Sequence, residues 1–160
     1  MLDTCIDFIQ QLGIKVIAAD LDVCFLPGLS IERGDILIDY SALKYPGDIL
    51  HEAGHIAAVP AAERFLLNAK TIAARENHAA EEMMAIAWSY AACVKINLDT
   101  SFVFHDDGYK SGGAYITEAF AQKQYFGLPM LQWAGLTADE KNAKMLNIDP
   151  YPHMIKWLRD

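Results

Sequence analysis

The order of apolar and polar residues divides the chain into recognisable elements. Cys5, Ile6, Phe8 and Ile9 recur at helical spacing and Gly13 is placed to end the run, which predicts a short helix over residues 3–12. The apolar run Ile14-Lys15-Val16-Ile17-Ala18-Ala19 predicts a strand. From Cys24 the chain reads as extended, with Leu29 and Ile31 alternating before Glu32-Arg33-Gly34-Asp35 and Ile36 and Ile38 after it. This predicts two arms folded at that reversal, with Pro27-Gly28 as a bend or bulge in the first. Pro46 suits a first helical turn, Asp48 suits the positive end, and Pro60 closes the segment, so a helix is predicted from about residue 47 to 58.

Residues 61–76 predict a partial helix and a loop, whereas 77–96 form a long helix that is apolar nearly all round and belongs in the middle of a core. Residues 99–113 read as loop with one strand, and 114–127 as an amphipathic helix. Thr137-Ala138-Asp139-Glu140 matches a capping box that starts another short helix, and residues 151–160 read as a last helical turn or two. With no repeat, low-complexity tract or Gly/Ser linker, the expectation is one domain over residues 1–160. Its fold class is α+β, mainly helical, with a small antiparallel sheet in the N-terminal half.

Composition narrows the function. Apolar residues make up 53% and charged residues 21%, enough for a sizeable core and against disorder. The net charge is −8 and no large basic cluster occurs, which disfavours nucleic acid and anionic membrane surfaces as partners. No apolar stretch is long enough to span a bilayer, and the first residues lack the pattern of a signal peptide. Cys5, Cys24 and Cys93 are scattered and odd in number, so they read as small core residues in a reducing cytoplasm, not as a disulfide framework.

One stretch carries chemistry: His51-Glu52-Ala53-Gly54-His55. Residues four apart share a helix face, so His51 and His55 can aim two imidazoles at one zinc ion, about 2.0–2.1 Å from each nitrogen. Glu52 projects about 100° around the axis from His51. It stands beside such an ion, where it can take a proton from water. The competing reading is a helix with two solvent-facing histidines. Ile49, Leu50, Ile56 and Ala57 argue against it, because ionisable groups on so apolar a helix need a ligand to satisfy them. Ala53 and Gly54 let other chain approach closely.

A catalytic zinc needs a third protein ligand and an open position. The long helix offers His78, Glu81 and Glu82. Helical phase favours Glu82, which shares the most polar stripe with His78 and Ser89, while Glu81 falls with Met84, Trp88 and Ala92. On this reading Glu81 is solvated and His78 is a helix-end residue or a partner behind a ligand.

These residues resemble the gluzincins, zinc peptidases with His-Glu-x-x-His and a glutamate on the next long helix. The closer likeness is to the ImmA/IrrE-type bacterial metallopeptidases, small zincin domains with a hairpin before the active helix. Their following helix reads Glu-x-x-Ala-Asn-x-Phe-Ala. Here Glu82-Met83-Met84-Ala85-Ile86-Ala87-Trp88-Ser89 matches at the glutamate, alanine, aromatic and final small residue and departs at Ile86. The resemblance covers about residues 29–90. It implies Zn2+ held by His51, His55 and Glu82, Glu52 as general base, a cytoplasmic setting, and a peptide or protein substrate.

Weaker candidates lie in the loop after the long helix. His105 and Tyr109 could supply a donor to an oxyanion, although a polar surface loop explains them as well. His105-Asp106-Asp107 does not read as a second metal site, since adjacent residues rarely converge on one ion. His153 reads as surface, and Tyr125, Phe126 and Trp133 as core or interface. The hairpin could pair an extended substrate along its edge, or serve only as structure. Three function classes follow: a zinc metallohydrolase, most naturally a peptidase; a catalytically idle zincin-fold binding or regulatory module; and a helical protein without metal.

Overall fold

A computed structural model describes residues 1–22 and 26–160, so the expectation for Cys24 lies outside the described residues. Helix α1 (Leu2–Gln11) buries Cys5, Phe8 and Ile9. Strands β1 (Val16–Ala18), β2 (Leu29–Glu32) and β3 (Asp35–Ile38) form one sheet in the order β1-β3-β2. The β2–β3 hairpin folds at the predicted reversal, where Arg33 and Gly34 both have positive φ, as a tight hairpin turn demands. Ile31, Ile36 and Ile38 face the core, as their alternation requires.

The α+β architecture is as expected, but the sheet is mixed and not purely antiparallel. β1 pairs parallel with β3, Val16 opposite Ile36 and Ala18 opposite Ile38. Alternation encodes which face of a strand is buried, not which neighbour it joins, so the direction of a three-residue edge strand left no mark in the pattern.

Helix α2 (Asp48–Ala58) packs on β2, β3 and α1 and against the long helix α4 (His78–Lys95). Every α2 residue is buried except His51 and Glu52, which keep a little accessible surface. Between these helices lie a 3-10 turn (Ala61–Leu66) and α3 (Ala69–Ala73), the latter started by a capping box of Asn68 and Thr71.

The second half departs further from expectation. Residues 99–113 contain no strand; they form 3-10 turns at Thr100–Phe102 and Tyr109–Ser111. Helix α5 (Gly113–Ala121) ends earlier than its amphipathic pattern, and an unforeseen helix α6 (Leu128–Trp133) follows Gly127. Helix α7 (Glu140–Leu146) is capped by Asp139, which accepts from the Asn142 amide at 2.8 Å, and not by Thr137. The Thr137 hydroxyl is taken by the His153 carbonyl at 2.6 Å. Residues 151–160 are not helical. Thr137 bridges Met154 and Ile155 donates to the Leu136 carbonyl, so the tail's backbone is spent on pairing with residues 136–137.

The tail also closes the core. Trp157 meets Phe8 edge-on at 4.9 Å, and its carbonyl accepts from Trp88 Nε1 at 2.8 Å. The Arg159 amide donates to the Ala57 carbonyl at 3.0 Å and its guanidinium to Ala58 at 3.3 Å, satisfying the last carbonyls of α2. Trp133 is 75% exposed, with the Arg159 guanidinium over its ring. Among the described residues no helix is long and apolar enough to cross a membrane.

Candidate metal centre

The first two turns of α2 point His51 and His55 towards the start of α4. Their Nε2 atoms are 3.1 Å apart. Glu82, on the second turn of α4, faces both: Oε1 is 3.5 Å from His51 Nε2 and Oε2 is 3.2 Å from His55 Nε2. Ligand atoms about 2.0–2.1 Å from a tetrahedral zinc lie about 3.3–3.4 Å from one another, so a triangle of this size fits such an ion. Glu52 brings a carboxylate oxygen within 4.8 Å of both ring nitrogens.

Close approach of α2 and α4 builds this triangle. Gly54 faces Ala85, where a Cβ would lie 2.8 Å from the Ala85 carbonyl oxygen. One turn on, the Ser89 hydroxyl donates to the Ala85 carbonyl at 2.7 Å and lies 3.3 Å from the Leu50 carbonyl. The polar stripe of α4 therefore faces α2, not solvent.

Glu81, the alternative ligand, is engaged elsewhere. Arg75 clamps it with two bonds, Nε–Oε2 at 2.6 Å and Nη2–Oε1 at 2.9 Å, and also reaches Glu63 at 2.8 Å. Glu81 is thus buried and paired, not solvated as its position in the sequence suggested. His78, the remaining alternative, stands one turn before Glu82, whereas the polar contacts of His51 and His55 run to each other and to Glu82. The His78 Nδ1 is buried without a hydrogen-bond partner.

The electrostatics suit a cation. Burial pushes His51 down to about 3, so it is neutral at pH 7 with a lone pair available. Burial opposes ionisation of Glu82 too, but the His55 hydrogen bond and the nearby histidines outweigh it and hold Glu82 at about 2. Neutral His51 and ionised Glu82 are in the states a metal binds. His55 is shifted the other way: burial lowers it, but the Glu82 hydrogen bond and the charges of Glu52, Glu82 and Glu81 outweigh that and raise it, so without a metal His55 holds a proton against Glu82 that an ion would have to displace. Burial, with the charges of Asp48 and Glu82, pushes Glu52 up to about 7 against the pull of His55. Three carboxylates thus crowd a recess whose nearest compensation is imidazole, and a divalent ion would relieve them.

The loop after α4 forms one wall. His105 Nε2 is 2.9 Å from Asp48 Oδ1, and Tyr45 stacks on the His105 ring at 4.1 Å. The Tyr45 hydroxyl bonds Asp107. Tyr109 meets His51 edge-on at 5.4 Å. Its hydroxyl is buried without a partner, and burial together with Asp48, Glu82 and Glu52 keeps it protonated. Of the two weak candidates, Tyr109 therefore lines the recess and His105 stands behind it. His105, Asp106 and Asp107 do not converge, because His105 turns to Asp48 and Asp107 to Tyr45.

Reading the sequence missed Arg75 and gave Asp48 only a helix-end role. Glu81 beside Glu82 on an apolar helix was the signal for Arg75, since a carboxylate buried there requires a cation. Comparison with known protein families, with curated proteins and with solved structures gave no significant match.

Proposed function

We propose that the protein is a zinc-dependent hydrolase of the gluzincin type, most naturally a peptidase. The observation that carries this reading is the convergence of His51 Nε2 and His55 Nε2, 3.1 Å apart, on the Glu82 carboxylate, with one oxygen 3.5 Å from His51 and the other 3.2 Å from His55. Zinc held there would polarise a carbonyl and bring the pKa of water to about 7. Glu52, whose carboxylate lies beside both histidines, would take the proton from such a water and return it to the leaving amine. The unpartnered Tyr109 hydroxyl is available to donate to the oxygen that gains charge. A peptide or protein is the substrate class this chemistry fits. Two free buried thiols, Cys5 and Cys93, fit a reducing cytoplasm.

The alternative is an idle binding or regulatory module whose centre is plugged by the chain's own tail. The tail instead lies on the Ala57 and Ala58 carbonyls, past the ligands, so it is not what covers the centre.

The test has two arms. Elemental analysis of protein purified without added metal should find about one zinc per chain, lost in His51→Ala. Screening against a peptide library should then reveal cleavage that Glu52→Gln abolishes while zinc stays bound. Zinc without cleavage would leave the module; cleavage surviving in Glu52→Gln would refute the mechanism.

A further inference from the structure

Residues 104–113 are held over the metal centre in a conformation that is costly for the chain. Tyr109, Lys110 and Ser111 are three consecutive non-glycine residues with φ of 53°, 55° and 64°. L-residues avoid this left-handed region because Cβ crowds the following carbonyl, and runs of it are rarer still. The Tyr109 hydroxyl, buried without a partner, adds a second penalty.

Both penalties vanish if the segment lifts. The left-handed residues relax and the hydroxyl meets water. The ends stay fixed, since Phe104 is buried in the core against Phe120 and Gly113 is buried at the start of α5; between them, a small set of contacts opposes lifting. His105 pairs with Asp48 at 2.9 Å, Tyr45 stacks on His105 and bonds Asp107, and Tyr109 rests on Phe104 and His51. Gly108 lies over the His105 ring, where a Cβ would come within 3.1 Å of it, so the chain is folded tightly around that histidine. Strain within the segment, set against these contacts, brings a lifted arrangement closer in energy than it would be for an unstrained loop.

We propose that residues 104–113 form a gate over the metal centre, latched by the Asp48–His105 pair, with Tyr109 as its inner face. As a regulator of that centre the gate rests on the reading of the centre as a zinc site. The closed arrangement covers His51; the open one admits a substrate. His105 is a positioning residue, acting on the centre through Tyr109.

Hydrogen exchange read by peptide mass spectrometry on the full-length, metal-free protein tests the gate without using zinc. Peptides over residues 104–113 should exchange faster than those over 84–93 in α4. His105→Ala should speed exchange in 104–113 roughly tenfold and leave 84–93 unchanged. Tyr109→Phe keeps the ring and removes the unpartnered hydroxyl, so it should slow exchange in 104–113 by a similar factor. The gate is refuted if His105→Ala leaves 104–113 unchanged. If that variant loosens the whole chain, Tyr109→Phe decides, and an unchanged rate there refutes the gate. On zinc-loaded protein, a colorimetric chelator should capture the ion faster from His105→Ala than from wild type. If exchange behaves as expected but no zinc binds, the zinc reading fails and the gate stands.

Discussion

Gly54 of α2 lies against Ala85 of α4, and the approach leaves no room for a side chain: a Cβ there would be 2.8 Å from the Ala85 carbonyl oxygen and 3.0 Å from its Cα. His55 is the next residue in α2, and Glu82 lies about one turn before Ala85 in α4. Gly54→Ala should therefore part the helices at the ligands. The expected cost is about 1–3 kcal/mol of stability, as for other overpacked cores, with weaker zinc binding. Urea unfolding and competitive zinc titration measure the two effects.

Glu81 and Glu82 should separate cleanly on mutation. Glu82→Gln removes the proposed third ligand and should lower zinc affinity at least tenfold, with little loss of stability. Glu81→Gln leaves Arg75 with only Glu63 and should cost about 3 kcal/mol of stability while zinc still binds. If the losses were exchanged, with Glu81→Gln abolishing zinc binding and Glu82→Gln unfolding the chain, the assignment of the third ligand would be wrong. Thermal unfolding and zinc titration on both variants give the answer.

The buried thiols predict a loss of stability on the alkaline side. Burial raises Cys5 from the ordinary 9.0 to about 11 and Cys93 to about 12. Between these limits the unfolded chain has released protons that the folded chain keeps. The unfolded state then binds fewer protons, and stability falls as pH rises. The thiol contribution is intact below pH 9, falls above it, and is lost once pH passes 11 to 12. Urea midpoints at pH 8 and pH 10.5 should differ less in Cys5→Ala/Cys93→Ala than in wild type. At pH 8 neither thiol should react with a disulfide reagent until the protein unfolds.

Arg159 should matter for stability and not for metal. Its amide and guanidinium satisfy the Ala57 and Ala58 carbonyls, and its own carbonyl accepts from Arg64. Arg159→Ala keeps the amide and should cost about 0.5–1 kcal/mol, visible as a lowered Tm, with zinc affinity unchanged. A drop in affinity of tenfold or more would mean that the tail reaches the centre after all.

The parts of the site that sequence made legible are those whose geometry is local. His51, Glu52 and His55 lie within five residues on a helix bounded by two prolines, and α2 runs over Asp48–Ala58 as the bounds predict. Glu82 could be chosen because helical phase also operates within α4. Arg75 was hidden because it sits in a segment of weak periodicity and finds Glu81 only through the fold. Tyr109 was only a weak candidate because its place depends on left-handed φ at Tyr109, Lys110 and Ser111, whereas Gly108, Gly112 and Gly113 announce only a turn somewhere in the segment. The same limit explains β1, whose neighbour is chosen by topology, and the tail. Residues 151–160 carry apolar residues at intervals that suit a helical turn, yet their backbone is claimed by residues 136–137.

The contact between Trp157 and the pair Phe8 and Trp88 bears on how the protein is made. Phe8, Trp88 and Trp157 come from α1, α4 and the tail, and Trp88 is wholly buried. A ribosome delivers the helix with both histidines and the helix with Glu82 well before Trp157 emerges. Until it does, the indole N–H of Trp88 lacks its carbonyl and α2 lacks the Arg159 contacts on its last turn. His51, His55 and Glu82 therefore come earlier in the chain than the packing that fixes the spacing of their helices, and a chain cut short of Trp157 would carry the three side chains without it.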